Sequence, residues 1–236
     1  MTDRGEYSPR DWSVHPPYLH APYKSTVARS PSKPLVPLPG TLSEITGPVY
    51  GHEVLAPNDD DLTKNAVRNG EPLGERIIVT GRVTDENGQG IPGTLIEIWQ
   101  ANAAGRYPHA VDQHDAPLDP NFLGAGRCVT DGDGRYRFTT IRPGEYPWGN
   151  EFNGWRPAHI HFSLFGPSFL TRLVTQMYFP GDPLLAFDPI VHAIPGEKAR
   201  QGLVAEFSRE TSEAEWALGY IWDIVLRGRG ATPAAG

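Results

Sequence analysis

The sequence predicts a mainly β protein, an antiparallel β-sandwich preceded by a proline-rich arm and carrying few short helices. Three observations point there. Apolar runs are short and either alternate or are continuous over strand length. Clusters of Gly, Asn, Asp and Pro separate them at close intervals. Nowhere does a strand-like run alternate with the long helical pattern that a parallel sheet requires.

In chain order, residues 1–60 come first, with "HPPYLHAPYKSTVARSPSKPLVPLPG" at their centre. Proline lacks the N–H and crowds the preceding turn, so such density disfavours helices and central strands. Trp12, Tyr18, Tyr23, Leu35 and Val36 are too apolar for a solvated tail and predict an extended arm packed on another surface. "EITGPVYG" and "DDDLTKNAVRNGEPLGE" read as a connector with one short helix. The expected division is therefore residues 1–72, arm and connector packed on the core or on a partner subunit, and 73–236, the sandwich domain.

Within the sandwich, "RIIVTGRVTDENGQGIPGTLIEIWQAN" gives strands at Ile77–Val83 and Thr94–Trp99 across a Gly/Asn/Pro turn. "GRCVTDGDGRYRFTTIRPGEYP" repeats the pattern, with "DGDG" read as a hairpin turn. It lacks the glutamate that a calcium loop of the EF-hand type needs. "HIHFSLFG", "RLVTQMYFPGD" and "YIWDIVLRG" supply further strands, and "IPGEKARQGLVAEFS" (194–208) reads as a short helix.

Composition bounds the function. The chain has 24 prolines and 26 glycines, about a fifth of 236 residues, below the roughly 25–30% of low-complexity sequence. A net charge of −7 argues against nucleic acid as a partner. A lone cysteine, Cys128, leaves no intrachain disulfide and no Cys-rich metal site. With no apolar leader and no run of about 18 apolar residues, the expected setting is cytoplasmic, with no membrane partner. The Walker-type G-x-x-x-x-G-K-[ST] loop and the G-x-S-x-G nucleophile motif are absent.

"NGWRPAHIHF" (153–162) holds the chemistry-bearing signal. His159 and His161, two apart in a strand, project from one face and can converge on a metal. A catalytic metal needs further ligands. The remaining histidines offer none at a strand or helix spacing; His109 and His114 in "HAVDQH" read as solvated surface residues. Tyrosines crowd the region instead: Tyr107 in "NAAGRYPHA" and Tyr146 in "PGEYPWGN", both in turns just past strands. Phenolate is a hard donor that suits ferric iron, which is acidic enough to deprotonate a phenol of pKa about 10. The competing reading is that each tyrosine is a corner residue bonded to backbone.

Taken together, "WQANAAGRY", "RPGEYPW", "WRPAHIHF" and "LDPNFLGAGRCVTDGDGRYRFTTIRPG" resemble the intradiol ring-cleaving dioxygenases, from "HPPYLHAPYKSTVARSP" to "DIVLRG". The resemblance implies a prealbumin-like Greek-key sandwich holding non-haem Fe(III) through Tyr107, Tyr146, His159 and His161. It gives Arg156 and Tyr146 catalytic roles, Tyr146 as a base that leaves the metal when substrate arrives. Tyr23, Trp148, Gln176 and Ile190 correspond to positions lining the catechol pocket. The short proline-rich arm and the complete ligand set are similar to the iron-bearing β subunit of family members built as hetero-oligomers of αβ units. The implied reaction is cleavage of protocatechuate between its hydroxylated carbons, with O₂, to 3-carboxy-cis,cis-muconate. Two alternatives remain: a catechol or hydroxyquinol dioxygenase, or a non-catalytic prealbumin-like module, which the strands alone would equally explain.

Overall fold

The computed structural model describes residues 13–36, 55–166 and 172–234. Of the expected arm and connector, Trp12 and "EITGPVYG" lie outside the described residues. Eleven strands are described: β1 (Arg76–Thr84), β2 (Leu95–Gln100), β3 (Ala125–Val129), β4 (Arg135–Ile141), β5 (Tyr146–Pro147), β6 (Trp155–Arg156), β7 (His159–Phe165), β8 (Arg172–Tyr178), β9 (Glu206–Glu213), β10 (Ala217–Ile221) and β11 (Ile224–Val225). Three short helices accompany them, α1 (Ser25–Arg29), α2 (Pro189–His192) and α3 (Glu197–Gln201), with a 3₁₀ turn at Pro183–Phe187.

One sheet runs β3-β2-β7-β8, antiparallel throughout. The other is built on β1, which pairs antiparallel with β4 but parallel with β10 and then β11; β9 closes its edge. The β-sandwich class stands, with β1 as the strand that carries the parallel pairs. Two segments that read as turns in the sequence, "DGDG" among them as a hairpin, are crossings between the sheets. "ENGQGIPG" carries the chain from β1 to β2, and "DGDG" carries it from β3 to β4, in each case to the opposite sheet. Locally the "DGDG" turn does close, with Gly134 N donating to the Asp131 carbonyl at 3.0 Å. Turn chemistry fixes a reversal but not which sheet receives the next strand.

Period-2 patterning fills the space between the sheets. Ile96 and Ile98 of β2 and Ile160, Phe162 and Leu164 of β7 meet Ile77 and Val79 of β1 and Tyr136 and Phe138 of β4, all essentially inaccessible. The Phe162 ring lies 4.8 Å from Trp222 and 5.8 Å from Phe138, centroid to centroid. Burial of such a ring contributes about 2–3 kcal/mol.

Helix content departs from expectation in three places. The 194–208 segment is helical only over Glu197–Gln201, because Gly202 stops it and the alternating Glu206–Glu213 run joins β10 as an edge strand. The connector at 55–75 holds no helix. The Asp61 side chain takes the Thr63 N–H at 3.1 Å, which diverts the backbone into turns. Those turns tie across both sheets, through Leu62 N to the Thr139 carbonyl and Arg127 N to the Asp59 carbonyl, 2.8 Å each. Conversely, the arm does form a helix, α1, in the proline-free run between Pro22 and Pro31. Thr26, buried there, donates its hydroxyl to the carbonyls of His20 and Tyr23. Among the described residues no helix is long and apolar enough to cross a membrane.

Candidate metal centre

β7 splits its side chains between two environments. Even positions enter the core, and odd positions, His159 and His161, face the other side of the sheet. The His161 ring stacks on Trp99, its register partner on β2, at 4.8 Å and 6°. His159 Nδ1 lies 2.7 Å from the Pro157 carbonyl. A carbonyl can only accept, so Nδ1 carries the proton and Nε2 presents a lone pair. That lone pair looks at His161 Nε2, 3.2 Å away, and at Tyr146 Oη, 3.4 Å away.

Tyr146 reaches this point from β5, where it is the register partner of Arg156 on β6. Tyr107 arrives from the loop after β2. Asn102 shapes that loop: its Oδ1 accepts from the backbone N–H groups of Ala104 and Arg106, both at 2.9 Å. Asp112 then anchors the tyrosine itself, accepting from Tyr107 N at 2.7 Å. Gly105 sits between the two tyrosine loops with φ +75°, and a Cβ there would lie 2.0 Å from the Glu145 carbonyl oxygen. Only glycine permits both the left-handed backbone and that approach. The two phenol rings end edge to face, 5.5 Å apart.

The donor set fits a metal ion on two counts. Tyr107 Oη is buried with no hydrogen-bond partner, a state that destabilises a protein unless something accepts its lone pairs. The facing nitrogens of His159 and His161, 3.2 Å apart, likewise set two potential metal-donor atoms on one point. Burial pushes the Tyr107 and Tyr146 phenols up, Arg156 partly offsetting the rise at Tyr146. Burial and then the Arg156 charge pull His159 well down and His161 down to about 3. The polypeptide therefore offers two neutral imidazoles and two phenols. Among the described residues no group of three or more His, Cys, Asp or Glu side chains forms a competing metal site.

Arg156 lies beside this point, 4% exposed. Its Nε is 3.1 Å from Asp188 Oδ2, and its Nη2 donates to Gln176 Oε1 at 2.6 Å and to Tyr178 Oη at 3.1 Å. Burial opposes its charge, but Tyr178 and Asp188 outweigh that and hold the guanidinium above even its ordinary value. The guanidinium carbon stands 5.4 Å from the Trp148 ring centroid, and Trp148 meets Tyr23 edge to face at 5.4 Å. Ile190, buried in α2, joins through Asp188, whose second oxygen accepts from Ile190 N at 2.8 Å.

The structure thus gathers Tyr107, Tyr146, His159, His161 and Arg156, with Gln176 and Trp148 in contact with Arg156, Tyr23 reaching it through Trp148 and Ile190 through Asp188. His109 and His114 stay outside the cluster. His109 is exposed, its Nδ1 taking the Val111 N–H at 3.2 Å. His114 is part-buried, edge-on to Trp155, with Nδ1 3.3 Å from the Gly105 carbonyl. Sequence reasoning missed Asp188, Tyr178, Trp99 and Asn102. Only Asp188 carried a readable signal, an aspartate before proline at a helix start. A separate cleft of about 450 Å³, lined by Pro17, His20, His192, Ala193 and Pro195, contains none of the cluster.

Comparison with known proteins bears on the same residues. A family model described as "Dioxygenase" matches residues 45–228, and one described as "Protocatechuate 3,4-dioxygenase beta subunit N terminal" matches residues 8–41. The chain is 66% identical over 226 residues to the protocatechuate 3,4-dioxygenase beta chain of Burkholderia cepacia, covering 96% of each. It is 30% identical over 207 residues to the alpha chain of the Pseudomonas putida enzyme of that name, covering 84% of this chain and 97% of the relative. Among solved structures, catechol 1,2-dioxygenase from Pseudomonas arvilla C-1 superposes with a TM-score of 0.52 at 25% identity, over 78% of this chain and 61% of that one.

Proposed function

We propose the reaction of this chain from one premise: it belongs to the intradiol ring-cleaving dioxygenase family, with the N-terminal segment of that family's protocatechuate 3,4-dioxygenase beta subunits. The family is iron-dependent. The proposal is that this chain, paired with an α subunit in αβ units, opens protocatechuate between its hydroxylated carbons with O₂, giving 3-carboxy-cis,cis-muconate. The observation that carries it is the meeting of Tyr107, Tyr146, His159 and His161 on a point flanked by a buried arginine.

In this reading those four side chains hold non-haem Fe(III). The donor chemistry favours it: two phenolates and two neutral imidazoles neutralise two of three ferric charges. Bound, the ferric ion supplies the Lewis acidity that makes a catechol bind as a dianion and makes its ring electron-rich toward O₂.

The chain's own residues then have separable tasks. Tyr146 Oη, 3.4 Å from His159 Nε2, would take one of the two diol protons as a phenolate, the other passing to a solvent hydroxide. Pro157, through its carbonyl, keeps the His159 proton on Nδ1 and so keeps Nε2 available as a donor atom. Arg156, unable to deprotonate and fixed by three partners, stabilises negative charge developing on the ring. Tyr23 and Trp148 form a wall that reaches the substrate's carboxylate end, and Gln176 and Ile190 complete the pocket.

Iron content and colour test the site, and oxygen uptake tests the reaction. Purified chain co-expressed with its α partner should be red-brown from tyrosinate-to-ferric charge transfer and should consume O₂ with protocatechuate faster than with catechol. Colourless protein that takes up no iron would refute the site. Equal or faster turnover of catechol would refute the substrate.

A further inference from the structure

Asn150 is a polar residue 6% exposed in a loop whose next three residues, Glu151, Phe152 and Asn153, are all exposed. A buried amide in such a loop calls for partners. It finds them 126 and 128 residues away. Asn150 Oδ1 accepts from Lys24 N at 2.8 Å, and Asn150 Nδ2 donates to the Pro22 carbonyl at 2.8 Å. The side-chain amide thus pairs with the arm as a peptide group of a neighbouring strand would, one donor and one acceptor, on the two residues that bracket Tyr23. Tyr23 is left with its backbone position fixed on both sides and its ring against Trp148. Its other contacts are local: the Tyr23 carbonyl receives the Thr26 hydroxyl, and the Arg29 guanidinium stands 4.9 Å from its ring.

We infer that Asn150 is a specificity-positioning residue, a clamp that holds the N-terminal arm on the β5–β6 loop so that Tyr23 stays in the wall facing the substrate's carboxylate end. The substrate half rests on the function proposed above, and the clamp itself does not. The loop supports the role. Trp148 N donates to the Gly154 carbonyl at 2.8 Å, closing the hairpin, so Asn150 and Trp148 move as one unit. That unit carries a contact to the arm at Asn150 and a contact to Arg156 at Trp148. Arm position is therefore read by the same hairpin that borders the reacting ring.

The test uses the full chain co-expressed with its α partner, as Asn150→Ala and Asn150→Asp. Asn150→Asp retains the acceptor for Lys24 N and loses the donor to Pro22, so it separates the two bonds. Iron content and charge-transfer absorbance should match the parent, because Asn150 touches no metal ligand. Trypsin should cut after Lys24 at least about tenfold faster once the arm is released. The KM for protocatechuate should rise about five- to tenfold with kcat within about twofold, as expected for lost binding contacts of hydrogen-bond size. Catechol, without the carboxylate, should show a smaller change. Tyr23→Phe should raise KM in the parent and add little in the Asn150→Ala background. Unchanged cleavage after Lys24 would overturn the clamp, as would loss of iron absorbance in both variants. An equal Tyr23→Phe penalty in both backgrounds would overturn its action through Tyr23. If the parent holds iron but does not consume the diol, the reaction is refuted together with the substrate-facing role of Tyr23, and the cleavage rate still decides the clamp.

Discussion

Arg156 and Asp188 form an ion pair sealed from solvent, 5% and 0% exposed at their side chains, with 3.1 Å between Nε and Oδ2. Asp188 divides its carboxylate. One oxygen holds the guanidinium, and the other caps α2 at Ile190 N. A single side chain thereby sets two walls of the proposed pocket relative to each other.

Removing that carboxylate should be expensive. Asp188→Ala leaves a buried arginine short of its counter-charge, and a loss of about 3–5 kcal/mol is expected in denaturant unfolding. Asp188→Asn keeps an acceptor for the helix cap and should lose less. Oxygen uptake should fall in both, since Arg156 loses its charged partner and keeps only Gln176 and Tyr178.

Tyr107 gives a prediction with opposite signs in two states. Its hydroxyl is buried without a partner, so Tyr107→Phe should stabilise iron-free protein by about 1 kcal/mol. The same substitution should weaken iron binding and remove most of the charge-transfer band. Tyr146→Phe should retain iron and mainly slow diol binding. Thermal unfolding with and without iron, together with stopped-flow absorbance, checks all three.

Gly105→Ala should separate the tyrosine loops. Its φ of +75° and the 2.0 Å approach to the Glu145 carbonyl leave a methyl no room. A destabilisation of at least about 1 kcal/mol is expected, with loss of iron, although residue 105 is not a ligand. Iron retained at the parent's level would contradict the packing account.

Cys128 should make the protein alkali-sensitive. Burial, with Asp60 nearby, pushes its thiol well up. In the unfolded chain the thiol ionises near pH 8.5. A raised folded value means the contribution is present in full below that pH and is lost as pH rises above it, at up to about 1.4 kcal/mol per pH unit. The difference between parent and Cys128→Ala in unfolding free energy should therefore be flat to about pH 8 and then shrink. A thiol reagent should react with native protein only on unfolding.

Much of this was legible in the residues. Strands at Ile77–Val83 and Thr94–Trp99 were visible because alternation and turn clusters are local signals. The pair His159 and His161 was visible for the same reason, since period 2 fixes a shared face. The partners of Arg156 were not, because Gln176, Tyr178 and Asp188 are joined to it only by sheet register and a helix placed 32 residues later. The sheet crossings at "ENGQGIPG" and "DGDG" were equally hidden. A turn's sequence records its backbone angles and not the destination of the next strand. The polar β9, of which only residues 206–208 fall in the segment that reads as helix, leaves periodicity little to report because its burial is slight on both faces.

β7 carries its core residues Ile160, Phe162 and Leu164 and its two imidazoles on opposite sides of one backbone. Inserting or deleting one residue there would reverse the two sides and ruin folding and chemistry together. Exchanging His159 or His161 for another side chain touches only the outward side. Under the proposed site, substitution of either histidine would abolish iron binding and leave the core-facing side of the strand as it is.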